Sequence, residues 1–171
     1  PAQPVSPGRM PRPLRDVLLG LAALALAACG SDDPRLAFDR GQYERALTLA
    51  RAAAGKGDVE AMNLLGIQYY LGAGPTRDFG EARQWFEKAA WAGNGQAQLN
   101  LGVLYMRGLG VARDLERAYA WMERARLGGN PRATHYLAII ALQITPNQIV
   151  AARGMLGEEE KKRARAAADA R

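Results

Sequence analysis

The sequence predicts an all-α fold, a short α/α solenoid of helix pairs closed by a capping C-terminal helix. Three observations predict it. Residues 58–93 recur thirty-six positions later with thirteen identities and no gap. Within each copy, small and apolar residues return at spacings of three and four, the period of a helix with one buried stripe. The 171-residue chain is also 49% hydrophobic, enough to bury the faces of such helices against one another. A unit of this length is one supersecondary element that needs stacked neighbours to cover its apolar side.

The elements follow in order. Ala46, Ala53, Ala54 and Gly57 stand one period before Ala82, Ala89, Ala90 and Gly93. A helix is therefore predicted over 42–57, of the second type in each pair, after a short first-type helix at 34–40. The first full unit opens with a helix at 59–71, where Ala61, Leu65 and Tyr69 form a stripe at i, i+4 and i+8. Ala97, Leu101 and Tyr105 repeat that stripe over 95–107. Turns follow at 72–78 and 108–114, with Gly72, Gly74, Gly108 and Gly110 suited to positive φ. Asp78 and Asp114 then stand at the N-cap of the second helix. Ala82, Trp85 and Ala89, matched by Ala118, Trp121 and Ala125, give that helix its stripe, and Gly93 and Gly129 end it.

A third unit begins at Pro131 and keeps Ala133 and Leu137, but it has no Gly-x-Gly turn. It passes instead through Thr145-Pro146-Asn147-Gln148, an N-cap threonine with proline at N1 and glutamine at N3, the pattern of a capping box. In the helix that follows, Glu158-Glu159-Glu160 precedes Lys161-Lys162-Arg163. Pairs Glu158–Lys162 and Glu159–Arg163 are expected at i+4, on a solvated closing helix such as a solenoid end requires. The expected organisation is a signal segment at 1–28, a linker at 29–35, a repeat domain at 36–157 and a charged helix end at 158–171.

Gly66 and Gly102 lie inside the first-type helices, where glycine costs about 1 kcal/mol relative to alanine. A cost that recurs implies a benefit that recurs, the close approach of two helix backbones. Ala138 keeps a small residue at this position in the third unit. Trp85 and Trp121 are expected in the core.

This pattern resembles the Sel-one-like repeat (SLR), a tetratricopeptide-type (TPR-like) α/α unit. The family's run of Ala, Leu-Gly, Tyr, Gly-x-Gly, Asp, Ala, Trp and Ala-Ala-x-x-Gly is matched by AMNLLGIQYYLGAG followed by DFGEARQWFEKAAWAG. The second copy departs at Arg126, where the second alanine of the pair is expected. The resemblance implies a solenoid that binds protein partners.

The N-terminal stretch reads as an address. Met10-Pro11-Arg12-Pro13-Leu14-Arg15 is basic, Val17 to Ala28 is apolar, and Cys29-Gly30 ends the run. Twelve apolar residues are too few to span a bilayer core, which takes about 20. A basic opening, a short apolar body and small residues before a break suit a secretory signal, with Met10 as the expected start. Leu26-Ala27-Ala28-Cys29 resembles the bacterial lipobox, which implies cleavage before Cys29 and lipidation of its thiol. By the same resemblance, Gly30 after the cysteine implies the outer membrane, facing the periplasm; the inner membrane or secretion is the alternative. Two or more acyl chains would give stable anchoring.

The composition also excludes chemistry. Cys29 is the only cysteine, His135 the only histidine, and Ser6 and Ser31 the only serines. No intrachain disulfide or four-ligand Cys/His zinc cage can be built from that stock, and no metal site or cofactor is expected. The formal net charge is +6, but no basic stripe interleaved with aromatics accompanies it, so no nucleic-acid partner is expected. The expected function is a membrane-anchored scaffold or adaptor for an envelope protein or peptide, with no catalytic residue. The alternatives are a periplasmic regulator of peptidoglycan or exopolysaccharide machinery and a β-lactam-interacting hydrolase. The expected partner surface is the concave face, through Met62, Asn63, Tyr70, Gln98, Leu99, Met106 and His135; Leu99 and Met106 fit equally well as core between repeats.

Overall fold

The computed structural model describes residues 32–169, so the expected signal segment, Cys29 and residues 30–31 of the expected linker lie outside the described residues. The described residues form eight helices and no strand. These are α1 (Pro34–Asp39), α2 (Tyr43–Gly55), α3 (Val59–Leu71), α4 (Phe79–Trp91), α5 (Gly95–Arg107), α6 (Leu115–Leu127), α7 (Arg132–Ala141) and α8 (Pro146–Asp169). They fall where the 36-residue period places them, and the fold is an all-α solenoid.

Local chemistry sets the helix starts. Asp78 Oδ1 accepts hydrogen bonds from the backbone N–H groups of Gly80 and Glu81, at 2.8 and 3.0 Å. Asp114 does the same for Arg117 N at 2.8 Å. Each satisfies donors that the first helical turn leaves unpaired. First-type helices are capped by a column that the sequence reading passed over: Asp58 for α3 and Asn94 for α5. The box before α8 closes reciprocally, Thr145 N donating to Gln148 Oε1 at 2.9 Å and Gln148 N to Thr145 Oγ1 at 3.4 Å.

From α1 to α7 each helix packs chiefly on its neighbours in sequence. Trp121, Phe86, Leu101, Leu104, Met122 and Ile140 are fully buried between α4 and α7. A smaller cluster, Leu47, Leu64 and Leu65, joins α2 to α3, and half-buried Trp85 packs on it beneath Lys88, whose Nζ lies 4.0 Å from the ring centroid. Trp121 meets Trp91 edge-on at 4.9 Å.

The third unit departs from the expected pair. α8 lies on α6 rather than along α7, burying Ala152 and Leu156. Ala138 is therefore exposed, without the covering helix that Gly66 and Gly102 have. The charged end is not simply solvated either. Glu159 pairs with Arg117 at 3.3 Å and Glu160 with Arg124 at 3.2 Å, both arginines belonging to α6. Glu158 pairs with Lys161 at 2.8 Å in place of the expected Lys162. The side chain of Arg163 lies outside the described residues.

Candidate partner-binding groove

The solenoid's first-type helices line a groove of about 430 Å³ that reaches from α1 across α3 and α5 to α7. The helical period places its wall on α5: Gln96, Asn100, Val103 and Arg107 lie at i, i+4, i+7 and i+11, along one side of the helix. Ile67 and Val103 supply apolar surface, and the edge of Phe86 shows between α3 and α5. Tyr70 and Tyr136 stand on α3 and α7.

Two polar features shape the groove. The first is a chain of side-chain amides. Gln96 Nε2 donates to Asn100 Oδ1 at 3.0 Å, and Asn100 Nδ2 donates to Asn63 Oδ1 at 3.4 Å, linking α5 to α3. The bonds orient the amides, and Gln96 Oε1 is an acceptor that the chain does not use. The second is a set of three guanidinium groups, Arg35, Arg107 and Arg132, carried by α1 and the helices α5 and α7. Arg107 and Arg132 are exposed and make no ion pair among the described residues. Arg35 meets Asp39 at 3.5 Å, both side chains largely exposed.

The expected partner residues divide between this groove and the interior. Tyr70 lines it, and Asn63 borders it but is itself only 2% exposed, its Oδ1 accepting from Asn100. Gln98 and Leu99 do not: they are 3% and 2% exposed, and Gln98 Nε2 donates to the Ala90 carbonyl at the end of α4, at 3.1 Å. Met62 and Met106 are half-buried against the core clusters, outside the groove. His135 is exposed on α7 beside Tyr136, their rings 5.9 Å apart, and is not part of the lining. The physical reason is helix rotation. At 100° per residue, Met62, Gln98, Leu99 and Met106 lie within about 60° of the glycine of their own helix, the side that turns toward the second-type helices. Asn63 and Tyr70 lie at the same angles and still border the groove. The α5 residues that do line the groove stand about 100–160° from Gly102. The glycine column was thus a usable signal, since it marks the covered side of each first-type helix.

That covered side is tightly filled. A Cβ on Gly66 would clash with the edge of the Phe86 ring, and one on Gly102 would lie 2.7 Å from Met122 Cγ and 3.2 Å from the Ala118 carbonyl oxygen. The close approach expected at these glycines is thus made largely by a side chain, one period apart in the two units, and by backbone as well at Gly102.

Residues 59–94 and 95–130 match the sequence profile of the Sel1 repeat, in the same register as the helix pairs α3–α4 and α5–α6. The fold is an SLR-type solenoid. A protective antigen present in uropathogenic Escherichia coli strains, described as displaying an SLR fold, superposes with a TM-score of 0.67 at 31% identity, over 70% of this chain and 27% of its own. A Sel1 repeat protein from Oxalobacter formigenes superposes with a TM-score of 0.56 at 33% identity, over 58% of this chain and 41% of its own. The chain therefore spans less than half the length of either SLR neighbour. No curated protein gives a significant match to the sequence.

Proposed function

We propose that this SLR chain is a lipid-anchored scaffold or adaptor of the bacterial cell envelope, lipidated on Cys29, held at the outer membrane and offering its concave groove to an envelope protein or peptide. The observation that carries the binding role is the groove itself. Arg107 and Arg132 make no ion pair among the described residues, and Tyr70 and Tyr136 stand partly open at its walls. Solenoids use such concave surfaces for recognition. The groove holds amides and guanidinium groups rather than an acid–base pair, which suits binding rather than catalysis.

The anchoring role is supported by the sequence Leu26-Ala27-Ala28-Cys29 after a short apolar run. No helix among the described residues is long and apolar enough to cross a membrane. The test is metabolic labelling with radioactive palmitate followed by membrane fractionation. The wild-type chain is expected to take up label and to sediment with outer membranes, and Cys29→Ser to do neither. An unlabelled wild-type chain would overturn the anchor.

A further inference from the structure

The charge of the groove specifies its partner further. Arg35, Arg107 and Arg132 approach it from three different helices, and no aspartate or glutamate is among its lining residues. Acids do stand near its Arg35 end: Asp39 pairs with Arg35 itself at 3.5 Å, and three more stand close by. Asp33 caps α1, Asp58 caps α3, and Glu60 Oε1 accepts a hydrogen bond from Asn94 Nδ2 at 2.7 Å. Arg107 and Arg132 have no counter-charge among the described residues, and such exposed cations raise the local concentration of an anionic ligand and steer its approach. Guanidinium forks match carboxylates in geometry.

The other walls separate a peptide from other anions. Between the arginines lie the amide chain Gln96–Asn100–Asn63 and the branched side chains Ile67 and Val103. A carboxamide offers the same donor and acceptor pair as a peptide group, so a chain of them suits an extended polypeptide backbone. Apolar surface between the tyrosines accepts the uncharged side chains of such a segment. A sugar acid would leave hydroxyl groups facing Ile67 and Val103 without partners, which is costly.

We infer that the groove takes an extended acidic peptide segment, with its carboxylates on Arg107 and Arg132 and its backbone along the amides of Gln96 and Asn100. This rests on the reading of the groove as the partner surface and adds the chemistry of the partner. Its length suits a few residues of extended chain rather than a folded domain.

The test is fluorescence anisotropy on the full chain with a labelled nonapeptide alternating aspartate and leucine. An isosteric peptide with asparagine for aspartate, phosphatidylglycerol vesicles and an oligogalacturonate serve as competitors. The acidic peptide is expected to bind, more weakly as salt rises, and Arg107→Glu with Arg132→Glu is expected to weaken it about tenfold or more at low salt. Arg40→Glu with Lys56→Glu, two exposed positions outside the groove, makes the same change in net charge and serves as the control, and circular dichroism confirms that the variants fold. Equal binding of the asparagine peptide, undiminished binding by the double variant, or preference for the vesicles or the uronate would each overturn the inference. A photoreactive residue at position 103 distinguishes the two levels of failure. If the acidic peptide does not bind but this residue crosslinks an envelope protein, the acidic specificity fails and the scaffold role stands; if neither occurs, both fail.

Discussion

The ring of Phe86 on α4 fills the space in which a Cβ on Gly66 of α3 would stand. One period later Met122 takes the same place over Gly102. Alanine at position 66 gains about 1 kcal/mol of helix propensity, but displacing a packed ring from a filled core costs about 1–3 kcal/mol and more with backbone shift. Gly66→Ala is therefore expected to lose about 1–2 kcal/mol net, read as a lower urea midpoint at unchanged slope. Gly102→Ala is expected to lose less, because methionine has more rotatable bonds with which to adapt. In a double-mutant cycle Gly66→Ala and Phe86→Leu should couple favourably; strictly additive losses would reject the contact.

Gly110 and Gly129 both have positive φ, 66° and 86°. A side chain at 129 would meet open space, whereas one at 110 would run into the backbone of Phe79 and Gly80 at the start of α4. Gly129→Ala is expected to cost about 1 kcal/mol, the strain of a left-handed residue alone. Gly110→Ala adds a clash with main chain that cannot move aside, and its loss should exceed that of Gly129→Ala by at least about 1 kcal/mol. Equal thermal stabilities for the two variants would contradict this.

Arg126, where the repeat pattern has alanine, donates two hydrogen bonds to Glu123, from Nε to Oε2 at 2.8 Å and from Nη2 to Oε1 at 3.0 Å. These bonds, with the charges of Arg126 and Arg153, outweigh burial and hold the Glu123 carboxyl below the ordinary glutamate value of 4.5. A depressed folded-state value stabilises the fold above the unfolded value and loses that effect as pH falls through the folded one. The difference in melting temperature between wild type and Glu123→Gln should be full at pH 7 and narrow steadily below about pH 4.5. A difference that stays constant down to pH 3 would assign the effect to packing.

The closing helix is held by two kinds of contact with different strengths. Leu156 is 5% exposed against the core, and Leu156→Ala is expected to cost about 2–4 kcal/mol in chemical denaturation. Glu160 is more than half exposed in its pair with Arg124, and Glu160→Gln should cost less than about 1 kcal/mol, and less again at high salt.

Within the groove, Tyr70→Ala combined with Tyr136→Ala is expected to reduce peptide binding. Both rings also pack on the core and Tyr70 meets Phe79 edge-on at 5.4 Å, so the urea midpoint should fall as well. Affinity is therefore compared on protein that circular dichroism shows to be folded. His135→Ala should leave the affinity as it was, because His135 lies outside the lining. A loss of binding in the histidine variant would extend the site along α7.

Helix spans, turns and second-helix caps were legible in the residues because each rests on a local pattern. Ala61, Leu65 and Tyr69 mark a stripe within one helix, Asp78 caps the turn that follows it, and the 36-residue period carries both to the next unit. The faces of those helices were not legible to the same degree. Which side of α5 meets α6 depends on Met122 reaching Gly102 across twenty residues of chain, a contact with no counterpart in the periodicity of either helix. That rotation buries Gln98 and Leu99 and turns Gln96, Asn100 and Arg107 toward the groove. The second glycine of each turn tells the same story. Gly74 and Gly110 are small because the loop lies against the backbone at Tyr43 and at Phe79, the first residues of the preceding second-type helices. The placement of α8 on α6 likewise comes from packing, since the burial of Ala152 and Leu156 is satisfied there and not along α7. Secondary structure follows from interactions a few residues apart, which a single chain displays; the groove and its charge follow from how finished helices turn against one another.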